Sequence, residues 1–276
     1  MKVGFVLLFL PSCYPVWIAW QANRRTSLCH AVWWMIAAWA AWGGMMVCHM
    51  GTRPAFGFDF PRYLALCLTG CAGIAVLGAR RPGLAAWNFV VLGLLAVLLL
   101  PVAEGLLATG EPLGPVRKLF LGATLAMSIL NYLPTRLAPA ALLLAVGVAS
   151  EFSLLLDETA TSPTFAMRQT IAWSSVALVP WLGFLGWRVA GQRASPFDRQ
   201  WLDFRDRFGL LWGQRVREQF NRAAGNVGWP VHLSWQGLRL LPDSGSRGEE
   251  PQAAMAATLH ALLKRFINTS GHQPEA

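Results

Sequence analysis

The segment Trp173-Ser-Ser-Val-Ala-Leu-Val-Pro-Trp-Leu-Gly-Phe-Leu-Gly-Trp187 ends where two parts of the chain with different composition meet. The segment is predominantly apolar, is followed by Arg188 and Arg193, and reaches a turn at Ser195-Pro196. The next segment, Asp198-Arg-Gln-Trp-Leu-Asp-Phe-Arg-Asp-Arg-Phe-Gly-Leu-Leu-Trp212, mixes charged and aromatic residues. We therefore expect a bilayer around the chain before this junction and water around the chain after it.

The composition also predicts a membrane protein. Of the 276 residues, 55% are hydrophobic and only 13% are charged, whereas a soluble domain has about 25% charged residues. The formal net charge is +9. We attribute this charge to the Lys and Arg residues that collect on the cytoplasmic flanks of membrane spans. The lipid bilayer is therefore the expected partner, and nucleic acid is not.

The apolar runs predict an all-α membrane domain in residues 1–191, with six to seven transmembrane helices. The first run contains Pro11 and Pro15, and the fifth would cover only ~22 Å of a hydrocarbon core of ~30 Å. Loss of either run would leave six spans and would move the N-terminus to the other side. The seven predicted spans are about residues 3–20, 28–50, 63–79, 84–107, 119–133, 140–156 and 171–189.

The orientation of the predicted bundle depends on its basic tail. The loops between the spans show no excess of Lys and Arg on either side, but Arg residues recur throughout the tail from residue 192. The positive-inside rule then places the C-terminus in the cytoplasm. The frequent use of Ala, Arg and Trp is typical of bacterial proteins, so we expect a multi-pass protein of the bacterial inner membrane, which is the plasma membrane.

Residues 192–276 predict a small cytoplasmic module of α/β or α-rich type. The pattern indicates a helix over about 198–224, a short strand over about 231–235 and a second helix over about 253–267. One face of the first helix predicts contact with the membrane surface or with a protein partner. We favour the competing interpretation, in which this face packs on the rest of the module. The face consists of Trp201, Phe204, Phe208, Trp212, Arg205 and Arg215.

Glu104 and Glu151 are the acidic residues that lie furthest inside predicted spans. Ionisable residues inside a membrane are rare and are candidates for function. The fourth and sixth spans run in the same direction, so both carboxylates fall in the outer half of the bilayer, and His49 lies near that level. Such a group would relay protons, bind a cation or orient a substrate headgroup. Alternatively, each glutamate pairs with a basic residue and has a structural role.

Met45, Met46, Cys48 and His49 form a weaker candidate site, because sulfur and imidazole ligands suit copper or haem iron. A single histidine among methionines is more often an interfacial packing residue, so no cofactor is expected. The five cysteines lie in or beside apolar runs and include no Cys-x-x-Cys pair, which is typical of packing residues.

The sequence contains no phosphate-binding loop, no Gly-x-Ser-x-Gly elbow and no His-Glu-x-x-His motif. We therefore favour a membrane scaffold or assembly protein, without enzymatic activity, whose C-terminal module recruits a partner. The alternative is a transporter or membrane-embedded enzyme with an outward-facing polar pocket around Glu104, Glu151 and His49. A water-filled cavity that contains both glutamates would favour the second hypothesis, and a basic partner for each glutamate would favour the first.

Overall fold

The helix Phe60–Leu77 lies at the centre of a helical bundle and is the most buried of its long apolar helices. The structure is a computed structural model that describes residues 7, 9–49, 59–80, 84–107, 113–156, 163–189, 195–241 and 250–266. Four features of the prediction lie outside these residues. They are the start of the first span, the end of the second span at residue 50, the boundary at residues 191 and 192, and the last residue of the final helix.

The described residues form nine α-helices and one β-hairpin, preceded by a short 3-10 turn at Leu10–Ser12. Most of the described residues are therefore helical, and the hairpin lies near the C-terminal end of the described chain. The elements are α1 (Cys13–Asn23), α2 (Cys29–Cys48), α3 (Phe60–Leu77), α4 (Leu84–Leu107), α5 (Pro115–Leu130), α6 (Ala138–Leu156), α7 (Pro163–Val189), α8 (Pro196–Val227), β1 (Val231–Ser234), β2 (Gly237–Leu240) and α9 (Glu250–Leu263).

Five of the described helices, α2, α3, α4, α6 and α7, are long and apolar enough to cross a bilayer, as expected for a membrane protein. The first and fifth predicted spans correspond to α1, which has 11 residues, and to α5, which has 16. At the helical rise, α5 is ~24 Å long, shorter than a hydrocarbon core of ~30 Å. The membrane bundle is thus confirmed, whereas a count of six to seven spans is not.

Small residues on α3 allow α5 to approach it closely. A Cβ atom at Gly73 would lie 2.1 Å from the Cβ of Ser128, and one at Gly70 would lie 2.9 Å from the Cγ2 of Thr124. The Ser128 hydroxyl also donates a hydrogen bond to the carbonyl oxygen of Gly70, at 3.1 Å. Small residues and hydroxyl groups are the usual means of close helix packing in membranes, so α5 belongs to the bundle despite its length.

Three turns of the bundle meet the C-terminal module at one end, which we call the module end. They are the turns at residues 24–28, 78–80 and 131–137. The Ser27 hydroxyl donates to the carbonyl oxygens of Ala79 and Phe266 at 2.9 Å each, and the Trp212 indole donates to the carbonyl oxygen of Leu77 at 3.1 Å. The C-terminal elements are therefore anchored on the ends of the bundle helices.

The module has an aromatic core between α8, the hairpin and α9. The ring of Phe266, just after α9, makes edge contacts with Phe204, Phe208 and Trp212, with centroids 4.9–5.1 Å apart. The strands pair antiparallel, with Val231 opposite Leu240. These contacts make α8, the hairpin and α9 one packed unit.

Helix α8 contains a break that the continuous helix predicted for 198–224 does not include. Gly209 adopts φ +76° and ψ −164°, so the helix bends between Phe208 and Leu210. Only glycine adopts this conformation without strain. The helix ends at a second left-handed glycine, Gly228, with φ +73°, which is the usual conformation of a C-terminal cap.

Candidate functional site

Four charged residues form a continuous chain at the end of the bundle opposite the module. Glu151 on α6 accepts a hydrogen bond from Arg62 Nε at 2.8 Å, and Arg62 Nη1 lies 2.8 Å from Asp59 Oδ2. The same Asp59 oxygen lies 2.8 Å from Nε2 of His49. The chain thus joins the end of α2, the start of α3 and the interior of α6. We call it the ion-pair chain.

The ends of two helices position this chain. Asp59 precedes α3, and its Oδ1 accepts a hydrogen bond from the backbone N–H of Arg62 at 3.3 Å. It is therefore an N-cap, and its negative charge is favoured at a helix N-terminus. His49 follows α2, and its Nδ1 lies 2.8 Å from the carbonyl oxygen of Met45. A cation is favoured at this helix C-terminus.

The contacts of His49 identify its protonation state. Nδ1 faces a carbonyl oxygen, which only accepts hydrogen bonds. Nε2 faces the carboxylate of Asp59, which is kept ionised by Arg62 and also only accepts. Both ring nitrogens therefore carry a proton, and His49 is an imidazolium ion. The charges along Glu151, Arg62, Asp59 and His49 then alternate and sum to zero.

The pKa values of the two residues outside the helices support this assignment. The hydrogen bond to Asp59 raises the pKa of His49 above its ordinary value and outweighs burial, which acts in the opposite direction. Burial alone would raise the pKa of Asp59, but the hydrogen bond from His49 and the charge of Arg62 together hold it below its ordinary value. Each group therefore stabilises the ionised form of the other.

The inner part of the chain is closed off from solvent. The side chains of Glu151 and Arg62 are 0% and 4% exposed, and aromatic rings of α7 lie beside them. The Arg62 guanidinium lies 5.6 Å from the ring centroid of Phe165, and the His49 ring meets Trp173 edge-on at 6.2 Å. Among the described residues, neither Glu151 Oε2 nor Arg62 Nη2 has a hydrogen-bond partner.

Glu104 lies at the same end of the bundle but is not part of the ion-pair chain. Its carboxylate pairs with Arg117 of α5, at 2.7 Å between Oε2 and Nη2. This pair is open, with side chains 49% and 37% exposed. Each of the two glutamates thus has its own arginine partner. The sequence analysis did not include Arg62 among the site residues. The spacing Asp59-Phe-Pro-Arg62 is nevertheless typical of a helix start at which an acidic and a basic side chain pair across the first turn.

The four residues considered as metal ligands lie in different surroundings. Met45 and Met46 are each 1% exposed and pack in the bundle core, while Cys48 is exposed. His49 has both ring nitrogens engaged by Asp59 and Met45. In the described part of the chain, no group of three or more His, Cys, Asp or Glu has an arrangement suited to a metal.

The aromatic face of α8 is inside the protein and not on its surface. Trp201, Phe204, Phe208 and Trp212 are 0–8% exposed, and Arg205 is 5% exposed. The face predicted to contact a membrane or partner is therefore occupied by α9, the hairpin and the bundle. Arg215 alone of that set is exposed, with its guanidinium 5.5 Å from the ring centroid of Trp212.

The turn at residues 131–137 is bound by the module through buried charges. Asp206 Oδ1 accepts hydrogen bonds from Nε and Nη2 of Arg205 at 2.9 and 2.6 Å, and from the backbone N–H of Arg136 at 3.2 Å. The Trp235 indole donates to the carbonyl oxygen of Pro134, and the Tyr132 hydroxyl donates to that of Arg207 at 3.2 Å. Side chains of α8 and the hairpin thus hold the module on the bundle.

No protein-family model, curated protein or solved structure matches this chain. The function is therefore inferred from the geometry of the described residues.

Proposed function

We propose that this protein is a membrane scaffold or assembly protein whose C-terminal module recruits a protein partner at the cytoplasmic face of the bacterial inner membrane. The observation that carries this proposal is the network between the module and the turn at residues 131–137. Asp206 and Asn131 are both buried in it, with 2% and 3% exposure. A module held by buried polar contacts keeps a fixed orientation relative to the membrane, which is what a recruitment platform requires.

The state of the two glutamates also favours a scaffold. Each has an arginine partner within 2.9 Å, and the ion-pair chain is neutral as a whole. Neutral, closed ion pairs join helices and leave no net charge to attract a substrate. The chain therefore serves to connect α2, α3 and α6 at the end that we assign to the outer side.

The orientation rests on charge. Ten of the chain's 20 arginines lie in residues 192–276, and such residues collect on the cytoplasmic side. The module end is then cytoplasmic, and the ion-pair chain faces the other side of the membrane.

A small apolar patch on the module offers a surface for the partner. Val227, Leu240 and Leu241 are 63%, 76% and 48% exposed. They lie around the start of the hairpin, where the Leu241 N–H donates to the carbonyl oxygen of Pro230 at 2.9 Å. Exposed apolar residues in such a group are typical of protein–protein contacts. We call these three residues the hairpin patch.

The test is quantitative co-purification of the full-length protein in mild detergent. We expect Leu240→Lys with Leu241→Lys to remove the proteins that copurify with the wild type. The matched control is Ala257→Lys with Ala261→Lys, which adds the same two charges at exposed positions of α9, outside the hairpin patch. The same set of proteins with the wild type and the Leu240/Leu241 variant, or no specific protein with either, would contradict the proposal.

The second candidate is a transporter or membrane-embedded enzyme with an outward-facing polar pocket around Glu104, Glu151 and His49. One observation favours it: Glu151 Oε2 and Arg62 Nη2 are buried without partners among the described residues, and such atoms commonly bind water. A Phe165→Cys variant with the five native cysteines changed to serine tests for a pocket. Rapid reaction with a membrane-impermeant maleimide would favour this candidate, and protection would favour the scaffold.

A further inference from the structure

A cavity of about 400 Å³ opens between the helices on the module side of the bundle. Helices α1, α2 and α3 form one wall, and α6 and α7 form the other. The cavity is separate from the ion-pair chain, none of whose residues lines it. Its walls are mostly aliphatic and aromatic side chains, among them Ile18, Val32, Met35, Leu144 and Val179.

The depth of the cavity matches one leaflet of a bilayer. On α7 its lining extends from Val176 to Trp187, twelve residues that span ~17 Å at the helical rise. Half of a hydrocarbon core is ~15 Å. The cavity volume of about 400 Å³ is typical of small-molecule sites.

The module end of the cavity is polar and includes the positively charged side chain of Arg207. Arg207 lines it there and stacks over Trp187, with 4.8 Å from the guanidinium carbon to the ring centroid. The described residues give Arg207 no ion-pair partner, although Asp203 is close enough to act on it electrostatically. Asp206 also lines this end, but Arg205 and Arg136 neutralise it.

Asn23 adds a second polar feature at the same end. Its amide nitrogen donates to the carbonyl oxygen of Ala19 at 2.8 Å. Its Oδ1 atom is buried and has no hydrogen-bond partner among the described residues. An unpartnered buried acceptor beside the cavity fits a ligand that brings hydrogen-bond donors.

We propose that this cavity binds one acyl chain of an anionic phospholipid, with the phosphate at Arg207. The apolar walls receive the chain over the depth of one leaflet, and the guanidinium binds the phosphate at the level where headgroups lie. Basic pockets between membrane helices bind anionic headgroups in this way, and Arg matches phosphate geometry better than Lys does. A headgroup with hydroxyl groups, as in phosphatidylglycerol, also supplies a donor for Asn23.

The experiment is native mass spectrometry of the purified full-length protein in detergent, titrated with phosphatidylglycerol or with phosphatidylcholine of the same acyl chains. We expect one tightly bound phosphatidylglycerol and an affinity about tenfold or more above that for phosphatidylcholine, because the choline cation of phosphatidylcholine offsets the charge of the phosphate that Arg207 binds, whereas phosphatidylglycerol keeps its net negative charge. Arg207→Gln should remove the preference between the two lipids. Arg222→Gln, at an exposed position of α8 outside the cavity, is the matched control.

A second pair of variants tests the acyl-chain site independently of the headgroup. A Cβ at Gly183, which lines the cavity, meets nothing within 4 Å, and the same holds for Gly93 on α4, which does not line it. Gly183→Leu should therefore fill the cavity without a clash and weaken both lipids by about tenfold. Gly93→Leu adds the same side chain outside the cavity and should leave binding unchanged.

Three results would overturn the proposal. The first is equal affinity of the wild type for the two lipids. The second is unchanged binding by Gly183→Leu. The third is a bound molecule whose mass identifies it as something other than a phospholipid and which phosphatidylglycerol does not displace. The thermal unfolding of every variant is measured alongside, so that a loss of binding is compared only among folded proteins.

Discussion

Gly209 of α8 and Asn131 of the turn between α5 and α6 are in contact so close that the glycine has no room for a side chain. A Cβ at Gly209 would lie 2.2 Å from Asn131 Nδ2 and 2.7 Å from the Asn131 carbonyl oxygen. That carbonyl accepts from the N–H of Leu210 at 2.7 Å, and Asn131 Oδ1 accepts from the N–H of Leu211 at 3.2 Å. Asn131 thus supplies partners for backbone groups that the break in α8 leaves without intrahelical partners.

Gly209→Ala should detach the module from the bundle. A side chain at φ +76° and ψ −164° costs about 1–3 kcal/mol, and the clash with Asn131 adds about 1–3 kcal/mol. We expect a loss of about 2–6 kcal/mol of stability, measured as a lower thermal unfolding temperature in detergent. Gly225→Ala is the control, because a Cβ there meets nothing within 4 Å. It should stabilise the helix by about 0.5–1 kcal/mol. Equal effects of the two changes would show that the Asn131 contact is unimportant.

Asp206→Asn should weaken the same interface through charge. The Arg205 side chain is 6% exposed and would keep its charge without a carboxylate. Removal of one partner of a buried pair costs about 3–5 kcal/mol. Limited proteolysis should then cleave α8 or the hairpin faster than in the wild type. Asp203→Asn, on the same helix, provides the comparison and should change the cleavage rate little. An Asp206→Asn protein as resistant as the wild type would exclude the proposed role of this carboxylate.

Glu151→Gln and Glu104→Gln should differ sharply, although both change a glutamate that faces an arginine. The first leaves Arg62 with Asp59 as its one counter-charge among the described residues, so we expect a loss of about 3–5 kcal/mol. The second breaks an open pair, which contributes about 0–1 kcal/mol. Thermal unfolding of the two variants in the same detergent measures the difference. Similar unfolding temperatures would mean that burial does not decide the strength of these pairs.

The ion-pair chain predicts a maximum of stability in mildly acidic solution. The pKa of His49 is raised above 6.5, so its contribution is complete below that pH and is lost as the pH rises through the folded-state pKa. The pKa of Asp59 is lowered below 3.8, so its contribution is present above that pH and is lost as the pH falls. The unfolding temperature should therefore decrease between about pH 6 and pH 9.

His49→Gln tests this assignment. The variant should unfold at a lower temperature than the wild type at about pH 6, and it should show less of the decrease toward pH 9. His232→Gln changes an exposed histidine on the hairpin and should retain the pH dependence of the wild type. A pH dependence that His49→Gln leaves unaltered would assign the effect to another group.

Much of the bundle is encoded locally. Long apolar runs predict membrane helices because hydrocarbon requires every backbone group to be bonded within its own segment. Five of the described helices are long and apolar enough to cross a bilayer. The sequence also shows that the first and fifth spans are uncertain as membrane helices, because the first contains two prolines and the fifth is short. For Glu104 and Glu151, the sequence left two possibilities open: a basic partner for each, or a shared polar pocket.

Local patterns of residues are enough to predict which segments are apolar, where the polar module begins to differ from the bundle, and which carboxylates lie within helices. Long-range packing is what brings Arg62 to Glu151, buries the aromatic face of α8 and fits Asn131 against Gly209. The physical reason is distance along the chain. Periodicity shows which face of a helix is apolar, but it does not show which residues that helix contacts. Arg62 and Glu151 are 89 residues apart in the sequence, and Asn131 and Leu211 are 80 residues apart.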